Sequence, residues 1–466
     1  MAFWISPWPL MRTSSIDPDL QLESQQKDLF NRYSNEGPNG FRKKMKSKTE
    51  TKNSCVRFGL CLALAAGMLG CDNEPPRFHL DMVWIRNNDD PDPDAFQHDQ
   101  LQNLSNILRA IFGTSDEPYV LQDAGIGMGK LVNSDLLKMA AGPVWGDQQG
   151  KAHGLYRKHC AHCHGVSGDG AGPTAAYLNP YPRDYRRGIF KFKSTPRENK
   201  PTDSDLEKTL REGIPGTAMP SFDLLADDEI VSLVDYVKFL AIRGEVEREL
   251  VLELSNLEAG EWLVSPETPE DGMKLIKERV SFVVNKWGRA ESEVTIPVAC
   301  PSSADPRTAT AEEMEQSITR GYHLFHGVVA NCFTCHGQTA LGDGQLDLYD
   351  DWTDELQPKD PERHAELMSL AQRPQPVRNL RPRNLRLGVY RGGRRPLDIY
   401  WRLTNGIHGA KMPAVPLVNP NDPEKTGLND SDLWDLINYV RSLPYETLSR
   451  PPYESPIDHV QLTKPL

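Results

Sequence analysis

Apolar residues recur at helical spacing in several stretches of this chain. Over 94–112, Leu101, Leu104, Leu108, Ile111 and Phe112 share one face and predict an amphipathic helix. Ile230, Leu233, Val237 and Leu240 form a second such face. Leu433, Leu436, Val440 and Leu443 form a third, with Tyr236 and Tyr439 in register between the two. Met273, Ile276, Val280, Val283, Val284 and Trp287 mark a further helix. A different pattern, continuous rather than periodic, runs from Phe58 to Leu69. It follows Arg42, Lys43, Lys44, Lys46, Lys48, Lys52 and Arg57, so it reads as the n-region and h-region of an export signal. The run is shorter than the ~20 apolar residues that span a bilayer.

The apolar run ends in Met68-Leu69-Gly70-Cys71, which resembles a bacterial lipobox, with Cys71 as the lipidated residue and Met in place of the usual Leu. The expectation is an exported protein at the periplasmic face of the bacterial cell membrane, held there by a lipid anchor. Asp72 resembles an inner-membrane retention signal. Residues 1–44 fit no signal peptide. The pattern predicts a start at Met45, with a genuine extension as the alternative. The formal net charge of -12 disfavours nucleic acid and leaves basic docking partners open. The 37 prolines predict long loops around compact cores.

The repeat of the two helical faces is part of a larger duplication. Cys160-Ala161-His162-Cys163-His164 and Cys332-Phe333-Thr334-Cys335-His336 both read C-x-x-C-H. Two thiols one helical turn apart, followed by an imidazole, form the attachment signature of a c-type haem. Gly168-Asp169-Gly170 is matched with Gly342-Asp343-Gly344, and the segment from Pro182 to Lys191 with that from Pro382 to Arg391. Gly213-Ile214-Pro215-Gly216-Thr217-Ala218-Met219-Pro220 is matched with Gly406-Ile407-His408-Gly409-Ala410-Lys411-Met412-Pro413. Of the 8 cysteines, four lie in the C-x-x-C-H strings and Cys55, Cys61 and Cys71 in the export segment; Cys300 has no assigned chemistry, and no disulfide framework is implied.

The order of C-x-x-C-H, Gly-rich loop, Met-Pro and closing amphipathic helix resembles the class I cytochrome c family, twice over. The resemblance implies a mainly α protein with two cytochrome c-like helical domains in tandem, an α-helical N-terminal accessory region and a helical inter-domain insert. The expected boundaries are 1–71 for the signal with its upstream extension, 72–143 for the accessory region, 144–245 and 309–447 for the two domains, 246–308 for the linker and 448–466 for a tail. In each domain the helix before the haem string is expected to cross the closing helix, 150–163 on 227–241 and 311–335 on 430–443. The insertion between His336 and Arg381, rich in Asp347, Asp350, Asp351, Asp354, Pro358 and Pro361, reads most simply as a surface loop, with cover for a haem edge as the other reading.

Two covalently bound haem c groups are implied, on Cys160 and Cys163 and on Cys332 and Cys335. Their irons would take His164 and His336 as proximal ligands and Met219 and Met412 as the sixth. His408 competes with Met412, although it aligns with Pro215. A backbone carbonyl of Gly172-Pro173 is the expected acceptor for the second ring nitrogen of His164; the second copy lacks that proline. Arg183 and Arg383, with Arg186 and Arg386, are candidates for the haem carboxylates, against the reading of a solvated basic loop. His153, His159, His323 and His326 read as surface residues.

Two six-coordinate haems have no open iron, so the expected function is single-electron transfer in a membrane-associated respiratory chain. The natural partners are a quinol-oxidising complex, a terminal oxidase or a soluble cytochrome. A dihaem peroxidase is the alternative enzyme, disfavoured because both copies keep Met-Pro. A cytochrome subunit of a periplasmic dehydrogenase is a third reading. Two zinc knuckles fail on ligand count.

Overall fold

The helical faces read from the sequence become the cores of two packed bodies. The computed structural model describes residues 76–445, apart from 89–95, 123–124, 259, 351, 354–355, 357–360, 372, 374 and 419–425. Cys71, the rest of the export segment and the tail at 448–466 lie outside the described residues. The described part is mainly helical, with two cytochrome c-like regions in tandem; its named strands, β1 (Trp145–Gly146) and β2 (Ala152–His153), pair antiparallel. Among the described residues no helix is long and apolar enough to cross a membrane.

The first body begins with α1 (Met82–Asn87), α2 (His98–Phe112), α3 (Met128–Leu131) and α4 (Ser134–Ala140). On α2 the predicted stripe is buried at Leu104, Leu108, Ile111 and Phe112. It continues with α5 (Leu155–His159), α6 (Ala161–His164) and α7 (Asp203–Glu212), then α8 (Asp227–Leu254) and α9 (Pro269–Gly288). Phe112 meets Phe239 of α8 edge-on at 5.8 Å. The accessory region, the first repeat and α9 therefore share one continuous core.

The closing helix expected over 227–241 runs on to Leu254. Val246, Leu250, Val251 and Leu254 extend its apolar face, and the same core takes in Ile276, Val280, Val283 and Val284 of α9. Because both sides of α8 are covered, its charged residues are buried in pairs, Arg243 with Glu247 at 3.0 Å and Lys238 with Asp235 at 3.0 Å.

The helix expected over 150–163 is shorter. Gly154 caps α5 in the left-handed region, φ 70°, where its Cα packs on the backbone of Pro143; a Cβ there would sit 2.6 Å from the Pro143 carbonyl carbon. The chain cannot extend the helix backward through that contact, and α4 packs on α8 instead.

The second body comprises α10 (Ala311–His326), α11 (Cys332–His336), α12 (Pro361–Leu370), α13 (Pro396–Asn405) and α14 (Asp430–Ser442). Helix α10 stops at His326 rather than running to 335, and Asn331 in the left-handed region starts α11. Three helices open on reciprocal capping boxes, Thr202 with Asp205, Thr310 with Glu313, and Asn429 with Asp432. Helices α10 and α14 cross at Gly321, where a Cβ would lie 2.6 Å from Cβ of Tyr439 and still closer to the Asp435 carbonyl. Asp435 ties the crossing by accepting from Ser317 at 2.6 Å and pairing with Arg320 at 2.7 Å.

The insertion between His336 and Arg381 is not a free surface loop; it straps the second body onto the first. Tyr181 donates to the Pro376 carbonyl at 3.0 Å, and Gln375 donates to the Gly170 carbonyl at 2.9 Å. The Arg378 guanidinium lies 3.8 Å over the Tyr181 ring, and α12 packs on α1 with Glu366 paired to Arg86. The linker is likewise more than a spacer. Thr295 donates its N–H to Ser194 of the first repeat at 2.9 Å, and its carbonyl accepts from Trp401 of the second at 2.9 Å. Farther along the linker, burial pushes the Cys300 thiol up to about 11.

Gly321 fixes the α10–α14 crossing. Gly321→Val is expected to destabilise the protein by about 2 kcal/mol by overpacking that contact, read as a lower midpoint in denaturant unfolding; a neutral result would remove the crossing from the account.

Candidate functional site

Each C-x-x-C-H string is held as a single helical turn. In the first, the N–H groups of Cys163 and His164 both reach the Cys160 carbonyl, at 3.1 and 2.9 Å. The second string is α11 itself. None of the four cysteines of the two strings is in a disulfide. Burial pushes the Cys160 and Cys332 thiols up to about 12.

The imidazoles are fixed by the chain rather than by the Gly-Pro turn. His164 donates Nδ1–H to the Arg183 carbonyl at 3.0 Å, and His336 donates Nδ1–H to the Arg383 carbonyl at 3.0 Å. A carbonyl can only accept, so Nδ1 carries the proton and Nε2 keeps its lone pair. The expected acceptor at Gly172-Pro173 is therefore replaced by the Pro-Arg segment that both copies carry. Gly172 has another task. Its N–H binds the Cys163 carbonyl at 3.0 Å, and a Cβ there would stand 2.5 Å from the His162 carbonyl. Gly344 packs the same way against Thr334. Burial holds His164 neutral down to about 4 and lowers His336 as well. His164 also stacks on Tyr185, with ring centroids 4.6 Å apart.

In the Gly-Asp-Gly strings the side chains of Asp169 and Asp343 reach equivalent glycines, Gly165 and Gly337, but the flanking glycines match in letters and not in space. Gly170 binds the His164 carbonyl through its N–H at 2.9 Å, and Gly342 binds the His336 carbonyl at 2.8 Å. Both glycines press on the Pro-Arg segment of their own repeat. Gly170 thus corresponds to Gly342, and Gly168 to Ala340, whose φ values are 72° and 60°. The alignment by identical letters is displaced by two residues.

The methionine loops close identically. Ile214 donates to the Met219 carbonyl at 3.1 Å, and Ile407 donates to the Met412 carbonyl at 3.0 Å. Gly213 and Gly406 open the two loops at φ 65° and 67°. Met219 and Met412 are half-buried, each against the core of its own body. His408 turns instead toward the first repeat, with Nε2 3.5 Å from a carboxylate oxygen of Glu198. His326, expected at the surface, is half-buried, with its two ring nitrogens 2.9 Å from the carbonyl oxygens of Tyr322 and Gln338.

The family model for cytochrome c matches residues 149–241 and again 318–444. Both repeats are cytochrome c domains. Domains of this family bind covalent haem c, and their chemistry is haem-based electron transfer. The chain is also similar to a solved structure, the Kuenenia stuttgartiensis reducing HAO-like protein complex. It shares 23% identity with one chain of that complex, with 64% of this chain and 97% of that chain covered, at a TM-score of 0.37. No curated protein matches the sequence.

The donor set of these cytochrome c domains suits the group. Paired thiols, a neutral imidazole with Nε2 available and a thioether recur in both. The arginines divide. Arg186 is committed to a buried network, with Nη2 2.8 Å from Asp184 and 3.5 Å from Asp81, so it is not placed to meet haem carboxylates. Burial alone would raise Asp81, but Arg186 and Arg248 hold it below its ordinary value. Arg386 donates to the Thr339 carbonyl. Arg183 differs: its guanidinium lies 3.4 Å over the Trp352 ring, and its Nη1 is buried with no hydrogen-bond partner among the described residues. That unpartnered Nη1 fits an anionic group. Arg383 donates Nε–H to the Val389 carbonyl at 2.9 Å. Trp352 has little signal in the sequence beyond being the only tryptophan in the Asp-rich insertion.

Gly342 sits at φ 80° with the Pro382 carbonyl where a Cβ would stand. Gly342→Ala is expected to cost ~1–3 kcal/mol of stability, read by thermal unfolding, and to weaken retention of the His336-ligated spectrum in mild acid. Retention of both would separate Gly342 from the imidazole's support.

Proposed function

We propose that this chain is a dihaem electron carrier. His164 and Met219 would ligate one covalently bound haem c, and His336 and Met412 the other. Single electrons would pass within a membrane-associated respiratory chain, between a quinol-oxidising complex and a terminal oxidase. The observation that carries this reading is the duplication of the whole site: the same imidazole–carbonyl bond and the same closed methionine loop in both domains.

The group supplies a reversible one-electron change at iron. The residues of the chain decide when that change is favourable. The Cys thiols fix the position of the group. The Pro-Arg carbonyl holds each imidazole in one tautomer and raises its basicity as a ligand. A methionine in the sixth position is soft and neutral and favours ferrous iron, which raises the potential. The Met-Pro element in both domains supports two closed irons, and so transfer rather than peroxide chemistry. The basic run before Phe58 and the Cys71 motif support export and lipid anchoring at the periplasmic face. A tether of that kind raises the effective concentration of membrane partners.

The haem-loaded protein is expected to show a methionine–iron charge-transfer band at two-haem intensity, with no spectral change when carbon monoxide is added to the reduced form. Met412→Ala should remove about half of that band and open one haem to carbon monoxide. Carbon monoxide binding by the unaltered protein would turn the reading toward an enzyme with an open iron. Recovery of the protein from native membranes with neither a quinol-oxidising complex nor an oxidase would remove the respiratory placement.

A further inference from the structure

Arg183 and Arg383 are equivalent residues of the two repeats, and each faces two ways. The backbone carbonyl of each holds the proximal histidine of its own domain. The side chain of each crosses to the methionine loop of the other. Nη2 of Arg383 fills the space where a Cβ at Gly216 would stand, in the loop that closes on Met219. Nη1 of Arg183 lies 3.1 Å from the Cβ position of Gly409, in the loop that closes on Met412, and the Trp352 ring lies against the same glycine. Gly216 and Gly409 are in the left-handed region, φ 74° and 73°, and a side chain at either would displace the incoming guanidinium. Further arginines tie the same loops across the interface. Arg197 donates Nη1–H to the Met412 carbonyl at 3.2 Å, and Arg391 donates Nη2–H to the Gly216 carbonyl at 3.4 Å.

The buried Nη1 of Arg183 has no hydrogen-bond partner among the described residues, and the methionine loop beside it belongs to the opposite domain, so an anion reaching that loop would satisfy it. We propose that the two domains exchange their arginines: Arg183 is a positioning residue for the haem site of the second domain, and Arg383 for that of the first. The inference rests on the reading of one haem per domain. Each cation stabilises the more electron-rich, ferrous state of the site across the interface, so neither site has its full potential without the other domain docked. Trp352, delivered by the insertion that only the second domain carries, holds Arg183 in place.

The test is a spectroelectrochemical titration of the full chain, with each haem assigned through Met219→His and Met412→His, which move one site to low potential. Arg183→Gln should lower the midpoint of the second-domain haem, changing its ferric-to-ferrous ratio at fixed potential roughly tenfold. The first-domain haem should be little changed. Arg383→Gln should do the reverse, Arg183→Lys should restore most of the effect, and Trp352→Ala should mimic Arg183→Gln in part. A shift confined to the haem of the mutated domain, or unchanged midpoints in a folded variant, would overturn the exchange. If Arg183→Gln does not fold, Arg383→Gln carries the test alone. Failure of the two-haem reading is seen separately: the unaltered chain would then give fewer than two haems in a pyridine haemochrome assay.

Discussion

The hydrogen bond from a buried imidazole Nδ1–H to the carbonyl of a Pro-Arg segment is the constraint on which the rest of each domain depends. It sets the tautomer and the ring orientation at once. It also requires the Pro-Arg segment to pass close beneath the C-x-x-C-H turn, and that approach leaves no room for a Cβ at Gly170 or Gly342. The segment is held in turn by the short helical turns Tyr185–Arg187 and Leu385–Leu387, where Tyr185 binds the Gly168 carbonyl at 2.6 Å and Leu385 the Ala340 carbonyl at 2.9 Å. One short peptide thus fixes the ligand inside its own domain and, through the arginine side chain, reaches the neighbour.

Much of this is legible in the sequence because the chemistry of the site demands particular letters. Thiols one turn apart, a following imidazole and a Gly-Ile-x-Gly-x-x-Met-Pro loop, recurring together, point to haem attachment and to little else. The helical faces at 230–240 and 433–443 carry their own period. The acceptor of the imidazole is not legible, for a physical reason. Every residue presents the same backbone carbonyl, so such acceptors leave no side-chain signature, and the conspicuous Gly172-Pro173 stands out more than the repeated Pro-Arg. The displaced Gly-Asp-Gly match has the same origin. Left-handed φ is met by glycine at 168 but by alanine at 340, so identity of letters and identity of conformation part company.

The two domains solve one problem with different resources. In the second, α10 and α14 cross directly and Gly321 permits the approach. In the first, Gly154 makes the equivalent helix start late, and the accessory helices α2 and α4 supply the missing apolar surface against α8. That substitution explains why α8 is long and covered on both sides, and why its ionic residues are buried in pairs. A helix buried all round shows no amphipathic signal past its first turns, so its extension to Leu254 could not be read from periodicity.

The contact between the domains is polar where the cores are apolar. Arginines, carbonyls and the pair Lys208–Asp398 dominate it, with Asp398 buried and held below its ordinary value despite burial, by Arg395 and Lys208. An interface of this kind is weak for separate proteins, because desolvation offsets most of the attraction. Here it is made intramolecular twice, by the linker stitched through Thr295 to both domains and by the insertion strapped over Tyr181. Those two connections remove the entropic cost of association and leave the polar contacts free to act on the sites rather than on affinity. A buried, unpartnered Nη1 of Arg183 at the second domain's methionine loop is costly for stability, and its presence is understandable if the anion it answers arrives with the cofactor.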